Sequence, residues 1–441
     1  MNFEKLKKAA LKAGITDIEI YESASNKVEI SMFNGVVEDN VSSSTKVCAI
    51  RGVYQNQLVT VYEENCDDEM IPSVIERIKD NCTIKNQKDP FFIYGGDKEY
   101  PSLKEKTYDF DNYTLEDKIK LCTNLTTLMK QQSSYVQMTE VSYQEEENIV
   151  TIVNSNGLDV KRHSRYAFLV AEAVCVKDGE TKTGFDYIRL DNLKDVDINS
   201  LAKDAVESAV STFGADSITS GAYPVVLDKK VVSSLLGAFA SVFSAEAVLK
   251  NMSFLKDKVG QKVFGSNITL MDDPLSLDAP SQAAFDDEGV ASYTKAVVEN
   301  GVLKTYLHNL KTAAMMNVKS TGNGYKLGIQ SNVGVQPSNF YLKAGDTSLE
   351  DMFEQVKDGV YITSVSGLHA GLSPVRGSFN LQSSGFMIEN GKKTKPVTLI
   401  ILSGTLQELL NNVTAVGNDF EFKRGVGAPS LMVKSMAISG K

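Results

Sequence analysis

The sequence predicts an α+β fold in two parts: a duplicated helix–strands–helix region at 1–215 and a β-rich domain at 220–441. Its 441 residues exceed the usual size of a single hydrophobic core. In the first part, helical and strand-like spacing of apolar residues recurs in the same order, each time around an Asn-Gly turn. In the second part, turn residues separate many short strand-like stretches, as in a barrel or a sandwich.

The first copy of the duplicated region spans residues 1–85. Apolar residues at helical spacing predict a helix over Phe3–Ala13. Asn34-Gly35 is a strong two-residue hairpin signal, and Pro72 is tolerated in the first turn of the closing helix. The other predicted elements are strands over Asp17–Ser23, Lys27–Met32, Thr45–Arg51 and Gln57–Glu63, and a helix over Asp67–Asp80.

The second copy spans residues 113–215, and its hairpin signal is Asn156-Gly157. Helix–strand alternation is common, but the matching Asn-Gly positions favour a duplication. Residues 86–112, rich in Asp, Lys, Pro and Gly, would be the connector. The predicted elements are a helix over Leu115–Gln132, strands over Tyr135–Tyr143, Asn148–Val153, Tyr166–Lys177 and Thr183–Leu190, and a helix over Asp197–Phe213.

A cluster of Gly, Ser and Ala at Gly214–Pro224 marks the start of the β-rich domain. A strand over Tyr223–Leu227 leads to Asp228, a residue type that caps helices. Apolar residues at helical spacing then predict a largely buried helix over Val231–Lys250. Turn signals separate the strands that follow, at Asn300-Gly301, Gly322-Asn323-Gly324 and Asn390-Gly391.

Charge and hydropathy narrow the classes of function. The net charge is −10 and the pI is near 5.1, which disfavours binding to nucleic acid through its phosphates. The densest basic patch, Lys161–Arg165, is short and is interpreted as a solvated strand face. No apolar run is long enough for a membrane helix, and Met1–Lys8 lacks the apolar stretch of a secretory signal. We therefore expect a cytoplasmic protein without a membrane or nucleic-acid partner.

The cysteines and histidines indicate no metal site. The five cysteines form no Cys-x-x-Cys pair, so neither a disulfide framework nor a zinc knuckle is predicted; they are Cys48, Cys66, Cys82, Cys122 and Cys175. The second half of the chain contains no cysteine and only two histidines, His308 and His369. We therefore predict no metal ligand in this chain.

Two acidic clusters, Asp272-Asp273-Pro274 and Asp286-Asp287-Glu288-Gly289, offer oxygen ligands of the kind that Ca²⁺ and Mg²⁺ prefer. Neither has the spacing of an EF-hand loop, and both contain good turn formers, so we interpret them as turns. The segment Gly367–Asn380 is dense in Gly, Ser and Pro. This composition is equally compatible with a surface connection and with backbone that approaches a ligand closely.

Several longer stretches, taken together in this order, are typical of one family. They are FDDEGV at Phe285–Val290, VENGVLKTYL at Val298–Leu307, STGNGYK at Ser320–Lys326, the segment Gly367–Lys392, and VGNDFEF at Val416–Phe422. On these residues the chain resembles the TldD/PmbA family, also called modulators of DNA gyrase, over essentially its whole length. It is most similar to the PmbA (TldE) branch.

The resemblance implies a cytoplasmic proteolytic complex of two related subunits. In that family the TldD-type subunit holds zinc through His-Glu-x-x-x-His on a helix and a cysteine, whereas the PmbA-type subunit lacks these ligands. The matching segment here, Leu235–Ser241, reads LLGAFAS and contains no ligand. The resemblance therefore implies no catalytic residue and no cofactor in this chain, zinc on a TldD-like partner, and a peptide substrate.

The resemblance and the Gly/Ser density of the loop also indicate where a peptide groove or subunit interface would lie. We expect it near His369, Gly371, Arg376 and Asn380, and near Asn323 of the preceding turn motif. Unpaired strand edges there could bind an extended peptide by β-addition. Two other functions stay open: an independent homodimeric peptidase that uses the acidic clusters or an unrecognised site, and a regulator that acts on a protein partner such as DNA gyrase. A homodimer of the isolated chain is also compatible with the sequence.

Overall fold

The computed structural model describes residues 1–64, 66–86, 88–104, 106–423 and 425–441. They divide into two compact units. The N-terminal unit comprises Met1–Gln87 and Lys104–Phe213, and the C-terminal unit comprises Lys88–Leu103 and Gly214–Lys441. Residues 88–103 thus pack with the second half of the chain, although they lie within the first half of the sequence. None of the described helices is long and apolar enough to cross a bilayer.

The N-terminal unit repeats one order of elements, helix, three strands, helix. The first copy consists of α1 (Phe3–Lys12), β1 (Asp17–Phe33), β2 (Val36–Tyr54), β3 (Gln57–Glu64) and α2 (Ile71–Ile84). The second consists of α3 (Leu115–Gln132), β4 (Val136–Asn154), β5 (Asp159–Lys177), β6 (Glu180–Leu190) and α4 (Ile198–Val210). Both Asn-Gly hairpin turns are confirmed, since they join β1 to β2 and β4 to β5.

All six strands form one antiparallel sheet in the order β3-β2-β1-β4-β5-β6. The first strands of the two copies, β1 and β4, pair at its centre, and each copy adds its other strands outwards. One apolar core lies between α1, α2 and the first copy's strands, and a second lies between α3, α4, the second copy's strands and the end of β1 that carries Ile30 and Met32. The fold is therefore symmetric in outline, as the predicted duplication requires.

Two predicted breaks within strands are wrong. The predicted pairs of strands at Asp17–Ser23 with Lys27–Met32, and at Tyr135–Tyr143 with Asn148–Val153, are the single strands β1 and β4. Polar residues separate the two predicted strands of each pair. In the structure these residues continue the strand and form hydrogen bonds across the sheet. The β1–β4 pairing runs without a shift from Glu19 to Phe33, and Asn26 Nδ2 donates to Glu147 Oε2 at 2.9 Å.

The structure also contains a disulfide that the sequence did not predict. Cys48 on β2 and Cys66, just after β3, are bonded, with their Cα atoms 5.9 Å apart. Their separation of 18 residues forms no recognisable spacing, but pairing of β2 with β3 brings the two positions together. Cys82, Cys122 and Cys175 are free and buried.

The described residues of the C-terminal unit form many short strands and five α-helices. Its strands are β7 (Gly221–Leu227), β8 (Leu270–Asp272), β9 (Lys295–Glu299), β10 (Val302–Leu303), β11 (Gly324–Tyr325), β12 (Gly334–Val335), β13 (Phe340–Leu342), β14 (Gly359–Ser366), β15 (Leu372–Ser373), β16 (Ser378–Glu389), β17 (Lys392–Thr405), β18 (Val413–Val416), β19 (Glu421–Lys423), β20 (Val426–Ala428) and β21 (Leu431–Ser439). Its described helices are α5 (Lys229–Phe239), α6 (Ala245–Leu249), α7 (Leu310–Met316), α8 (Leu349–Val356) and α9 (Leu406–Asn411).

The strands β7, β14, β16, β17 and β21 pair in a closed circuit and form a five-stranded barrel, which the sequence predicted as barrel- or sandwich-like. A second sheet has the order β10-β9-β8-β13-β20-β19. The pairs β7–β14 and β13–β20 are parallel, so both sheets are mixed. Helix α5 packs between them and belongs to the same large apolar core.

The predicted helix over Val231–Lys250 is broken, which corrects the sequence interpretation. Helix α5 passes into a 3-10 turn at Ala240–Phe243, and α6 begins only after Ser244. Ser244 is extended, and the main chain on either side of it exchanges hydrogen bonds with Leu307. Asp228 is the N-cap of α5 as predicted, because its side chain accepts from Lys230 N.

Candidate functional site

The segment that the resemblance matches to a zinc helix, Leu235–Ser241, covers the end of α5 and the start of the following 3-10 turn and contains no zinc-ligand side chain. Leu235, Leu236 and Phe239 are buried in the main core, and the Phe239 ring packs edge-on against Phe379 at 6.4 Å between centroids. Gly237 faces β20, where a Cβ would lie 3.5 Å from the Val426 side chain. Zinc requires nitrogen, sulfur or carboxylate ligands. The residues present here do not fit a zinc ion.

Polar groups instead concentrate in another part of the C-terminal unit, which we call the acidic network. Its members are Asp272, Asp286, Asp287, Glu288, Lys295, His308 and Asn323, and all of them are buried. Asp272 lies on β8 and Lys295 on β9, whereas the other members lie in the loops between β8 and β9, before α7 and before β11. Two of the family's sequence stretches, Phe285–Val290 and Ser320–Lys326, therefore meet here, although no spacing along the chain predicts this.

Asp272 is fully buried and accepts four hydrogen bonds. Lys295 Nζ lies 2.9 Å and Asn323 Nδ2 2.8 Å from its Oδ2, while the backbone N–H and hydroxyl of Ser338 bond to Oδ1 at 2.7 and 2.9 Å. The prediction that Asp272 belongs to a turn is therefore wrong, because burial and the Lys295 ammonium make it an ion-pair partner. Its neighbour Asp273 does form a turn, since its Oδ1 accepts from Leu275 N at 3.0 Å.

The second acidic cluster is a turn, as predicted. The Asp286 carboxylate accepts from the backbone N–H groups of Glu288, Val290 and Gly324 at 2.8 to 3.0 Å. Glu288 Oε2 accepts from Leu310 N at the start of α7 at 2.7 Å. Burial, together with the nearby Glu288 carboxylate, raises the pKa of Asp286 well above its usual value. These oxygens are occupied by backbone donors and position the surrounding loops.

His308 is joined to this network through backbone hydrogen bonds to the Ser320–Asn323 loop. His308 N donates to Thr321 Oγ1 at 2.7 Å, and its carbonyl accepts from Asn323 N at 3.3 Å. Within the described part of the chain, the buried Nδ1 atom has no hydrogen-bond partner. Burial lowers the pKa of His308 to about 4, against the opposite effect of a hydrogen bond with the Thr312 backbone. The imidazole is therefore neutral at pH 7.

Residues 88–103, which we call the strap, cover the acidic turn. Tyr100 donates its hydroxyl hydrogen to Gly289 O at 2.7 Å, and its ring contacts Phe285 edge-on at 6.0 Å. Asp97 accepts from Ala291 N at 2.7 Å and from the Tyr94 hydroxyl at 2.8 Å. The strap thus excludes water from the turn and contributes to the burial of Asp286.

Three of the five predicted site residues, His369, Gly371 and Arg376, lie in the loop between β14 and β16, and Asn380 lies beside it on β16. Gly371 and Asn380 are bonded through Asn380 N and Gly371 O at 2.8 Å, and His369 and Arg376 are exposed on the same loop. A Cβ on Gly371 would lie 2.3 Å from Asn380 O, so the loop's tight path requires glycine. Neither the His369 nor the Arg376 side chain has a partner among the described residues.

Asn323, the fifth predicted residue, lies elsewhere, in the acidic network. It is fully buried, and its side chain bonds to Asp272, to Gln336 O and to the Thr321 hydroxyl. Its hydrogen bonds leave no polar atom of the side chain for a peptide. The sequence analysis did not identify Lys295 as a member of this network. The available signal was its position directly before the apolar run Ala296–Val298.

The sequence matches three family profiles. They are described as PmbA/TldA metallopeptidase domain 1 at residues 18–82, the central domain at 108–213 and the C-terminal domain at 220–440. A metalloprotease of Methanocaldococcus jannaschii is 28% identical over 440 residues, which cover 96% of this chain and 94% of the relative.

Two solved structures share the fold over nearly the whole chain. A Thermotoga maritima protein described as a modulator of a DNA gyrase has a TM-score of 0.91 and 30% identity, and the match covers 99% of this chain and 100% of that one. TldE from Thermococcus kodakarensis has a TM-score of 0.87 at 21% identity and covers 99% of both chains. The latter similarity concerns the fold alone.

Proposed function

The chain belongs to the PmbA/TldD family, and from this premise we propose that it is the non-catalytic, PmbA/TldE-like subunit of a cytoplasmic metalloprotease complex. In this proposal a TldD-like partner holds the zinc ion, and the complex cleaves peptides. The single observation that carries the proposal is the composition of α5, where leucine and phenylalanine side chains fill the space in which zinc ligands would be needed.

The rest of the C-terminal unit supports a positioning role for this chain. A peptidase that used the acidic clusters would need carboxylate oxygens free to bind a metal or a water molecule. The Asp286 oxygens bond to backbone N–H groups, and Asp272 is paired with Lys295 and capped by Ser338. These contacts favour a structural function for the network and disfavour the alternative of an independent peptidase that uses it.

The exposed loop offers the groups that a peptide or a partner subunit could contact. Arg376 provides a planar set of donors suited to carboxylates, and His369 lies in the same loop. We place the peptide groove or the subunit interface at His369, Gly371, Arg376 and Asn380. Asn323 acts indirectly, because its buried side chain holds its own loop against Asp272.

Reconstitution tests the proposal. The chain would be purified alone and with the TldD-like protein of the same genome, and peptide cleavage would be measured for each protein and for the mixture. We expect cleavage only in the mixture, and inhibition by a zinc chelator. Cleavage by this chain alone would overturn the proposal, as would full activity of the partner in its absence.

Variants of the loop test its assignment separately. Arg376→Ala and His369→Ala should each lower peptide cleavage by the mixture or weaken its assembly, measured by size-exclusion chromatography. Lys319→Ala is the matched control, because it removes an exposed cation from another surface of the same unit. If both loop variants assemble and cleave as the control does, the loop is neither groove nor interface.

A further inference from the structure

A compact group of potential metal ligands lies in the N-terminal unit, far along the sequence from α5. Glu22 on β1 and Cys48 on β2 are directly opposite each other in the antiparallel pairing. Cys66 follows β3 and reaches Cys48 with a left-handed backbone, at a φ of 41°. Both cysteines are buried, with 0% and 1% of their surface exposed.

The donor atoms of these three residues are close enough to share one ion. Glu22 Oε2 lies 3.8 Å from Cys48 Sγ, and one ligand atom from each of the three residues lies within 4.8 Å of the other two. Tetrahedral zinc with bonds of about 2.0–2.3 Å separates its ligand atoms by roughly 3.3–3.8 Å. Small movements of the side chains would therefore bring all three to bonding distance.

The other three cysteines show no such arrangement. Cys82, Cys122 and Cys175 are single buried thiols. Burial raises the pKa of each, to about 12 for Cys122, so these thiols resist forming the thiolate that binds metals. In the Cys48–Cys66 pair, by contrast, two sulfur atoms and a carboxylate converge, and the ammonium group of Lys46 lies 3.0 Å from Glu22 Oε2.

We propose that Glu22, Cys48 and Cys66 form a redox-gated site for a thiophilic divalent cation such as Zn²⁺. The disulfide is its oxidised, metal-free form. In the reduced form, the two thiolates and the carboxylate bind one ion, and a water molecule completes the tetrahedral coordination.

The exchange between the two forms is balanced. A dithiol reductant gives two electrons and two protons to the Cys48–Cys66 bond, which becomes two thiols, while the reductant becomes a disulfide. Binding of Zn²⁺ then releases the two thiol protons, so affinity rises with pH. The forms exclude each other because they use the same two sulfur atoms. Paired cysteines in a reducing compartment more often serve metal binding or redox chemistry than structural cross-linking.

The charge around the site is consistent with this chemistry. Two thiolates and one carboxylate carry three negative charges against the two positive charges of the ion, and Lys46 supplies a further cation. The Lys46 side chain is about half exposed, so it can turn away when the ion takes the Glu22 oxygen. Because Cys66 precedes α2, metal binding would also retain the link between β2 and that helix when the disulfide is reduced.

Metal binding by the full-length chain tests the proposal. Protein reduced with a dithiol and protein left oxidised would each be incubated with Zn²⁺, freed of excess by gel filtration and analysed for bound metal. We expect one zinc per chain when reduced and none when oxidised. Co²⁺ should give thiolate-to-cobalt charge-transfer absorption in the reduced protein alone.

Variants locate the ion. Glu22→Gln, at a partly exposed position, should fold and weaken zinc binding by at least about tenfold, since even residues that only support a ligand cost this much. The double change Cys48→Ser and Cys66→Ser should abolish it, whereas Cys175→Ser should have no effect. Equal zinc in oxidised and reduced protein, unweakened binding by Glu22→Gln, or zinc retained by the double variant would overturn the proposal. Peptide cleavage by this chain alone would overturn the proposed function instead.

Discussion

In the N-terminal unit the buried carboxylate of Glu145 bonds to Lys118 Nζ at 2.5 Å, to Arg165 at 2.7 Å and to the Tyr143 hydroxyl at 2.7 Å. In the C-terminal unit the buried Asp286 accepts only from backbone N–H groups within the described chain. Burial alone would raise the pKa of both. For Glu145 the bonds to Lys118, Tyr143 and Arg165 outweigh burial and lower the pKa, whereas burial and the Glu288 carboxylate raise that of Asp286.

The contrast shows two ways of keeping polar groups inside a protein. The cluster of Lys118, Glu145 and Arg165 stays charged because opposite charges match. The Asp286–His308 part of the acidic network reduces its charge instead, since the raised pKa of Asp286 favours the protonated acid and the lowered pKa of His308 favours the neutral imidazole. Removal of one charged partner should therefore destabilise the first arrangement, whereas a change of pH should destabilise the second.

The largest expected loss of stability comes from breaking the cluster of Lys118, Glu145 and Arg165. Glu145→Ala leaves Lys118 and Arg165 partly buried without their common partner, and breaking such a pair costs about 3–5 kcal/mol. We expect this loss in the free energy of unfolding, measured by urea denaturation. Glu116→Ala, exposed on the same helix α3, should change it by less than about 0.5 kcal/mol. Equal losses in the two variants would contradict the contrast between the units.

The second-largest expected effect is a loss of stability at low pH that depends on His308. The pKa of His308 is about 4 in the folded chain and near 6.5 when unfolded, so the unfolded chain binds more protons between these values. Stability from this residue is therefore present above pH 6.5 and lost as the pH falls towards 4, by up to about 3 kcal/mol at 1.4 kcal/mol per pKa unit. Asp286, with its raised pKa, acts in the opposite direction.

The comparison of wild type with His308→Asn isolates the histidine. The difference in unfolding free energy between the two proteins, measured at intervals from pH 7.5 to 5, should shift steadily against the wild type. Glu145 does not interfere, because its lowered pKa means that its contribution is lost only below its unfolded value of about 4.5. A difference that is constant with pH would show that His308 stays protonated or exposed.

A smaller loss of stability is expected when a methyl group is added at Gly324, where the acidic network leaves no space for it. A Cβ on Gly324 would lie 2.6 Å from Glu288 Oε2, which is already held by Leu310 N. Gly324→Ala should therefore lower the free energy of unfolding by about 1–3 kcal/mol. Gly334→Ala, whose Cβ meets nothing closer than 3.9 Å, is the control and should be close to neutral in the same denaturation assay.

The smallest effect concerns the strap. Tyr100→Phe keeps the ring contact with Phe285 and removes the hydroxyl, which donates to Gly289 O and accepts from Asp97 N at 3.1 Å. The expected loss is about 0.5–1.5 kcal/mol, the usual net value of one hydrogen bond, because the exposed Asp97 N–H can bond to water instead. Hydrogen exchange at the Gly289–Ala291 amides should quicken in this variant and remain unchanged in Tyr293→Phe. No change in either would mean that the strap does not protect the acidic turn.

Local signals predicted much of the fold. Helix α3 covers the range that its apolar spacing predicts. Its start is defined by a capping box between Thr114 and Asp117. The two Asn-Gly turns and the Asp228 cap were also predicted, since each depends on residues adjacent in sequence. The breaks proposed within β1 and β4 were wrong because cross-strand bonds to distant residues stabilise their polar stretches.

The site was less predictable, because its contacts join distant parts of the chain. The absence of zinc ligands in α5 could be read directly from Leu235–Ser241. The burial of Asn323, by contrast, depends on Asp272, 51 residues earlier. The bond between Cys48 and Cys66 likewise requires β2 and β3 to pair. Composition records which of these residues exist but contains no information about which of them meet.

The strap also has a topological consequence. The chain leaves the N-terminal unit before residue 88, returns to it at 104 and leaves it again after 213, so three covalent connections join the two units. No single cut in the sequence separates them. A fragment ending at residue 213 would carry the strap without the surface that buries Tyr100, and a fragment beginning at 214 would leave Gly289 and Ala291 without their partners. The two units therefore have to be expressed together as one chain.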